Sequence, residues 1–451
     1  MALEKLLSDI DNNQEELVEL HRSLVQIPSV NTGFMPTGNE TDVCEFAKEW
    51  LDNFSIDSQI LGMVPERGNL ISRIPGSSGN GGLLFMSHTD VVPVENESKW
   101  KFPPFSASVY RGRVYVRGSS DCKVLLASQM MAMRIIKQNS VQLRDSLILA
   151  SGSDEEHGGT YGFKWLAENH PDLIYAPFAV NEGGGVPVNA AGNLAYLLGV
   201  GEKGRLQIEI TVRGSSSHAS VPWQGDNALF TFNRVLAAIE NYSANRDVSG
   251  PIFDHLSNFA IEDKPTIENI DEIIQGVESS NPSLASILRA SSRMTLTPTM
   301  VNGGIKSNSV PETINLTCDV RTLPNQDENY VRTQLDSILS GIDGVSYEID
   351  YMAIPNSSIF NSELTTQISQ ATSLVLESPE IQWIPSLSTG FTDSRFTRPM
   401  GVVTYGFTGA HPEDDQSKNN MHGTDESVGI KSLVSGAKIM TALAYNLLAE
   451  N

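Results

Sequence analysis

Leu83-Leu84-Phe85-Met86 is a run of four apolar residues that passes directly into Ser87-His88-Thr89-Asp90. A strand apolar at successive positions needs cover on both faces, which points to the sheet of an α/β unit. Polar groups able to reach a ligand then collect where such a strand ends. His88 and Asp90 stand at that point. Two residues apart on extended chain, their side chains project to one side, so Asp90 is placed to orient the imidazole. A histidine that merely caps a strand is the plainer reading of this stretch alone, and the rest of the chain decides between them.

The same pattern recurs. Apolar strands are expected at 69–74, 82–87, 146–151 and 177–180, with helices at 123–137 and 160–169 between them and amphipathic covering helices over 3–27 and 40–53. That alternation predicts an α/β unit with a largely parallel sheet. From Arg205 to Arg213 polar and apolar residues alternate with period two, the pattern of a sheet with one face in water. A helix at 226–242, strands at 294–301 and 312–321, a helix at 327–340 and a strand at 345–352 complete a small α+β unit. The interval 246–292, with Asp, Ser, Asn and Pro scattered through it, reads as an insertion in that unit. A strand at 401–406 and a closing helix at 425–448 then restore the α/β style. A chain of 451 residues is too long for one ordinary core. The expected organisation is a larger unit from 1–203 and 353–451 into which 204–352 is inserted.

Charge and cysteine content narrow the chemistry. With 31 Lys+Arg against 54 Asp+Glu, the formal charge of −23 repels phosphate backbones and speaks against nucleic acid as a partner. Met1 to Val30 is charged and helix-patterned, without the roughly 7–15-residue apolar core of a signal peptide or the length of a membrane span. A cytoplasmic protein with no membrane partner is expected. Cys44, Cys122 and Cys318 show no CxxC spacing, which fits a reducing compartment and leaves histidines and carboxylates to hold any metal.

Four further stretches share the placement of His88. Asp121 lies just before the helix 123–137, where a helix N-terminus favours an anion; taken alone it reads as an N-cap. Asp154-Glu155-Glu156 follows the strand 146–151, and three consecutive acids there repel one another unless a cation or a proton sits among them. Glu182, in Asn181-Glu182-Gly183-Gly184-Gly185, follows the strand 177–180. His422 precedes the closing helix, with Thr424 or Asp425 the expected N-cap. Two histidines and three carboxylates so placed are the ingredients of a two-metal oxygen/nitrogen site. Such a site lowers the pKa of a bridging water, and an uncoordinated glutamate beside it can move the proton.

In this order the motifs resemble the M20 family of metallopeptidases over nearly the whole chain. The resemblance rests on Ser87 to Pro93, Arg117-Gly118 through Asp121 and Lys123, Asp154-Glu155-Glu156 with Gly158-Gly159, Asn181 to Gly184, and His422 with Glu426. It implies a zinc-peptidase-like catalytic domain with a mixed sheet and an inserted α+β lid or dimerisation domain. It also implies two zinc ions, with cobalt or manganese as substitutes. His88 and Glu182 would hold one ion, Glu156 and His422 the other, and Asp121 would bridge. Glu155 becomes the general acid/base, Asp90 the partner of His88, and the peptide bond after Asp121 is expected to be cis.

Further signatures lie outside this cluster. Gly214 to Pro222 matches the segment whose histidine, here His218, reaches the substrate carbonyl of the neighbouring subunit in dimeric members, so a homodimer is expected. Asn308, Pro311, Asp319 and Arg321 match a second motif, and Thr392-Asp393-Ser394-Arg395 a third. A guanidinium forks onto a carboxylate, so Arg321 or Arg395 suits a substrate's free carboxyl group; either also suits a structural ion pair. Three positions depart from the family pattern: Val124 stands for a glycine after Lys123, Phe391 for a glycine before Thr392, and His422-Gly423-Thr424 for His-Thr-Pro. Val124 and Phe391 add bulk near the expected site. The expected activity is hydrolysis of an amide bond next to a free carboxylate, in a dipeptide, a C-terminal peptide bond or an N-acyl amino acid. The alternatives are a dedicated N-acetyl or N-succinyl amino acid deacylase and, outside the enzymes, a silent homologue serving binding or assembly.

Overall fold

In the computed structural model, which describes residues 2–35 and 37–450, the apolar runs form the middle of a ten-stranded mixed sheet. Gly81–His88 lies parallel between Ser146–Gly152 and Phe178–Asn181, and Val403–Gly406 continues the parallel block. Both flanks are antiparallel, with Asn69–Ile74 and Asp57–Leu61 on one side and Asn193–Glu202 on the other. Ser146–Gly152 is buried along its whole length, as is Gly81–His88 after its first residue, so cover on both faces accounts for the continuous apolar pattern. Helices Val124–Gln138 and Ile430–Leu448 pack together in the core of one face, and Ala2–Asn12 and Gln14–Gln26 lie over them. The single helix expected over 3–27 is broken at Asn13, whose side-chain amide donates to the Asp9 carbonyl at 2.6 Å and competes with the helix ladder.

The period-two segment behaves as its pattern requires. Gly204–Arg213 runs antiparallel between Thr313–Thr322 and Val345–Ala353, and Thr295–Gly303 forms an edge of this four-stranded sheet. Helices Ala228–Glu240 and Glu328–Ile338 set Val235, Ile239, Val331 and Leu335 against Leu206, Ile208, Leu316 and Val320 on its covered face.

Two expectations need correction. The interval 246–292 interrupts the smaller unit in chain order, but Ile252, Phe253, Ile274 and Leu288 pack with Ala190, Ala195 and Ile384 from strands of the larger sheet. Buried Lys203 clamps its end by donating to the carbonyls of Ala290 at 2.7 Å and Arg293 at 2.8 Å. The closing helix begins at Ile430 with Gly429 as its N-cap, because Ser427–Gly429 is drawn into antiparallel pairing with Arg113–Tyr115. Thr424 and Asp425 therefore do not cap it; Asp425 Oδ1 accepts from the Lys101 N–H at 2.7 Å. Among the described residues no helix is long and apolar enough to cross a membrane.

Candidate active site

Three adjacent parallel strands deliver the first side chains to one edge of the sheet. His88 ends Gly81–His88, Glu155 and Glu156 lie on the turn after Ser146–Gly152, and Glu182 follows Phe178–Asn181. Asp121 comes from the turn Ser119–Lys123 that feeds Val124–Gln138, and the Asp121–Cys122 bond is cis. No side-chain cap bond is made at that helix start, so the N-cap reading of Asp121 does not apply. His422 enters from the loop before Ser427–Gly429.

Asp121 divides its carboxylate between two groups. Its Oδ1 lies 3.0 Å from His88 Nε2, which is also 3.5 Å from Glu182 Oε1. Its Oδ2 lies 3.0 Å from His422 Nε2, which is 3.2 Å from Glu156 Oε2. Ligand atoms of His88, Asp121, Cys122 and Glu182 all fall within 4.8 Å of one another, as do those of Asp121, Glu156 and His422. Glu155 belongs to neither group.

The surroundings hold these groups in place. Asp90 Oδ1 accepts from the Glu155 N–H at 3.1 Å, and Oδ2 accepts from the Glu156 N–H at 3.1 Å and Asn31 Nδ2 at 2.8 Å. The His88 ring faces Asp90 twice, with Nδ1 3.0 Å from its main-chain oxygen and 3.4 Å from Oδ1. Asp154, first of the three consecutive acids, turns inward to Arg67 at 2.9 Å, and Arg67 also pairs with Glu40 at 2.7 Å. Glu426 fixes the Asp121 turn by accepting from Arg117 Nη1 at 2.6 Å, Gly118 N at 3.1 Å, Ser120 N at 3.0 Å and Asp121 N at 3.2 Å. A glycine is required at 184, where a Cβ would lie 2.2 Å from the Gly406 carbonyl oxygen and block the approach of the strand end carrying Glu182.

Charge at the centre is unbalanced. Burial, then nearby carboxylates, pushes the carboxyls of Glu155 and Glu182 up, Glu182 to about 8. Burial likewise raises Glu156, against a hydrogen bond from His422. Asp121 moves the other way: against the upward push of burial, hydrogen bonds from His422 and His88 hold it far below the usual range. Hydrogen bonds to Asp121 and Glu156 raise His422 to about 10. Crowded carboxylates with two imidazoles, all offering hard or borderline donors, fit a pair of divalent cations. Cys122 stands inside the first group, but burial pushes its thiol above the ordinary range and its sulfur accepts the His88 N–H at 3.2 Å. With the sulfur engaged by that N–H, the nitrogen and oxygen donors are the ones left facing one another.

The remaining sequence-predicted residues divide in two. Arg395 is 8% exposed, with its guanidinium carbon 4.2 Å from the Phe391 ring centre and 4.8 Å from that of Phe396. Both its terminal nitrogens and both oxygens of Asp393 are buried without a hydrogen-bond partner. Burial, opposed by Arg395, pushes the Asp393 carboxyl up to about 7. The pair abuts the turn that carries Glu155, since a Cβ on Gly159 would fall 2.7 Å from Asp393 Oδ1 and 3.5 Å from Arg395 Nη2. Arg321, by contrast, donates to Asp319 Oδ1 at 2.7 Å and to the Thr389 carbonyl at 3.0 Å. His218 is exposed with Nδ1 2.7 Å from Ser220 Oγ, and Asn308 is exposed with its carbonyl accepting from Ala219 at 3.0 Å. Among the described residues no hydrogen bond or ion pair joins His218, Asn308 or Arg321 to the cluster around Asp121.

Sequence reasoning assigned no role to Asn31, Glu40 or Arg67, which come from loops and helices with no motif around them. Glu426 was visible only as part of a motif, and its grip on the turn depends on chain separated by about three hundred residues.

A mixed sheet whose strand ends gather two histidine–carboxylate groups around one shared aspartate defines a hydrolase of the metallopeptidase class. The chain belongs to peptidase family M20/M25/M40, whose profile matches residues 84–446, and is a hydrolytic enzyme. A probable succinyl-diaminopimelate desuccinylase of Staphylococcus aureus is 27% identical over 387 residues, covering 85% of this chain and 87% of its own. The M20 family metallo-carboxypeptidase of Sulfolobus solfataricus superposes with a TM-score of 0.70 at 21% identity, covering 95% of this chain and 98% of its own. A dinuclear metal binding peptidase from the M20 family of Bacillus subtilis superposes with a TM-score of 0.60 at 14% identity, over 96% of this chain and 98% of its own.

Proposed function

We propose that this enzyme uses two divalent ions to hydrolyse an amide bond next to a free carboxylate, in a dipeptide, a C-terminal peptide bond or an N-acyl amino acid. The observation that carries this reading is Asp121, which presents one oxygen to His88 and the other to His422, each at 3.0 Å. His88 and Glu182 would hold one ion and Glu156 and His422 the other, with the carboxylate of Asp121 available to both. Zinc suits the donor set, with cobalt or manganese as substitutes. When bound, such ions polarise a carbonyl and bring the pKa of water toward neutrality.

The chain's own groups do the rest. Asp90 fixes the His88 ring and, through the Glu155 and Glu156 N–H groups, the turn between the two ions' ligands. Glu155, outside both groups, accepts the proton of the attacking water and returns it to the leaving nitrogen. Arg395, buried with two unfilled donor nitrogens, receives the substrate carboxylate as a fork; Arg321 is already engaged by Asp319 and serves as an ion-pair partner. The alternative, a dedicated N-acyl amino acid deacylase, draws support from the name of the Staphylococcus relative.

We also assign 1–203 and 353–451 to the catalytic unit of a cytoplasmic enzyme and 204–352 in chain order to a lid that pairs two chains, its interval 246–292 being the part that rests on the catalytic unit's sheet. Supporting the pairing, the edge strand Thr295–Gly303 exposes Met300 and Val301, and helix Ala228–Glu240 exposes Phe230 at 75%. A sheet edge with apolar neighbours calls for a partner. In such a dimer His218 and Asn308 would act at the neighbouring site. Metal analysis and amine release test the reading together. Protein purified without chelator should carry close to two equivalents of divalent metal and release amine from dipeptides or N-acetyl amino acids. Active enzyme with less than one equivalent, or metal-loaded enzyme inert on all of these amides, would overturn it.

A further inference from the structure

Beside Glu182 opens a cavity of about 330 Å³, in the lower part of the range of roughly 300–1,000 Å³ found for small-molecule sites. It begins at the metal-binding edge, with Ser120, Val124 and Glu182 in its wall, and runs out past Val186, Leu197 and Ile287. Two features of this chain shape it. Val124, at the start of helix Val124–Gln138, supplies an apolar wall. Ile287 comes from helix Pro282–Ser291, part of the interval that packs onto the larger sheet. Among the described residues lining the cavity, Glu182 is the one ionisable side chain; the other polar lining groups are neutral, such as Ser386, Thr389 and Asn419.

We infer that this cavity is the specificity pocket of the enzyme and accepts an uncharged apolar chain of the substrate, either the acyl group or the amino-acid side chain. The inference rests on the amide-hydrolase reading and names its substrate class. A substrate arm ending in a carboxylate would lose its hydration there without gaining a cationic partner among the lining side chains. The pocket therefore selects against succinyl groups and for hydrocarbon.

The test compares four substrates on the metal-loaded enzyme: N-acetyl-alanine, N-hexanoyl-alanine, N-acetyl-norleucine and N-succinyl-alanine. A gain in kcat/KM for the hexanoyl compound assigns the pocket to the acyl side, and a gain for the norleucine compound assigns it to the side chain. The expected gain is at least about tenfold, the lower value for even one added methylene in an apolar pocket. N-Succinyl-alanine should fall below N-acetyl-alanine. Val186→Asp, at a 40% exposed position where folding is not at stake, should cut the ratio of the favoured substrate to N-acetyl-alanine by about tenfold or more. Ile287→Asp should do the same, and Ile287→Val should keep the ratio. A preference for the succinyl compound, no gain from either extension, or ratios untouched by both aspartate variants would overturn the pocket while leaving the hydrolase reading in place. Calorimetric titration of the wild-type protein with octanoate and with succinate separates the other failure. If no amide is cleaved, tighter octanoate binding that Val186→Asp removes would uphold the pocket while the hydrolase reading falls; equal binding would overturn the pocket too.

Discussion

The strand ends of the larger sheet and the loops of the smaller sheet both carry family signatures, yet they are finished to different degrees. At the larger sheet Asp90 and Glu426 are buried and bound several times over: Asp90 accepts from Asn31, Glu155 and Glu156, and Glu426 from Arg117, Gly118, Ser120 and Asp121. At the smaller sheet His218 and Asn308 are exposed, and Arg321 turns back on Asp319 two residues away. Preorganisation that costs nothing at the moment of reaction belongs to the first kind of site. The second kind is a set of side chains awaiting another surface. On our reading the chemistry is complete in the larger unit, and the smaller unit contributes only when substrate or a second chain is present.

The largest expected effects fall on Glu155, the proposed proton carrier, and its neighbour. Glu155→Ala should lower kcat by about 10²–10⁴-fold while metal content stays near that of the wild type, since Glu155 stands in neither ligand group. Glu156→Ala and His422→Ala should lose activity and metal together. Activity and elemental content measured side by side on the three variants decide it. If Glu155→Ala sheds metal as readily as Glu156→Ala, the division of labour between these adjacent residues is wrong.

Arginine replacements set the two regions directly against each other. Arg395→Lys keeps the charge but removes the fork, and should raise KM for a carboxylate-bearing substrate by about 10²-fold, or about 2.7 kcal/mol. Arg321→Lys should change KM by less than about threefold, because the lost partner is the partly exposed Asp319 rather than substrate. The reverse ranking would move the carboxylate site to the smaller sheet.

Much of the site was legible because chemistry-bearing residues stand directly after apolar runs, and that adjacency survives folding: His88, Glu155, Glu156 and Glu182 are all at strand ends. The frame around them was less so. No strand was anticipated at Asn193–Glu202, where Gly199 and Gly201 dilute the apolar signal; the structure needs Gly199 because a Cβ there would lie 2.4 Å from the Gly183 carbonyl oxygen. Gln382–Ser388 was missed as well, and its Pro385 argues against a strand by local rules yet is tolerated where the segment joins Asn193–Glu202 from one side. The 246–292 interval was assigned by chain order, whereas its packing is decided by which sheet offers an apolar face. Register, close backbone approach and long-range burial are properties of the assembled chain, and short windows of sequence do not contain them.

A smaller expected effect concerns the turn that carries Asp121. Glu426→Gln keeps the shape but puts an amide NH₂ among N–H donors and removes the charge, so the charge-assisted bonds to Arg117 and the 118–121 backbone are lost or weakened. The cost should be on the order of 1.5–3 kcal/mol in urea unfolding of the metal-free protein. A shift indistinguishable from zero would mean that the turn is held by its packing alone.

The smallest effect is read in pH and reaches the same turn from behind. His21, on helix Gln14–Gln26, is fully buried with its Nε2 3.2 Å from the Ser119 carbonyl, to which the neutral ring donates. Burial lowers its pKa to about 4, against the hydrogen bond to Ser119, which raises it. A folded value below the unfolded 6.5 means that between these two values the unfolded chain binds more protons. His21 therefore leaves stability intact above about pH 6.5 and withdraws it as the pH falls toward 4. At pH 5.5 the loss should be about 1.4 kcal/mol, one factor of ten in the unfolding equilibrium. Other groups titrate in the same window, the raised carboxyls with opposite sign, so the quantity to measure is the difference between the wild type and His21→Gln in urea midpoints from pH 7 to 5. The wild type should lose ground relative to the variant as acid is added. A difference that stays flat would mean that His21 is protonated in place, with the Ser119 turn able to accommodate a cation, and the contrast between a rigid larger unit and a permissive smaller one would lose one of its supports.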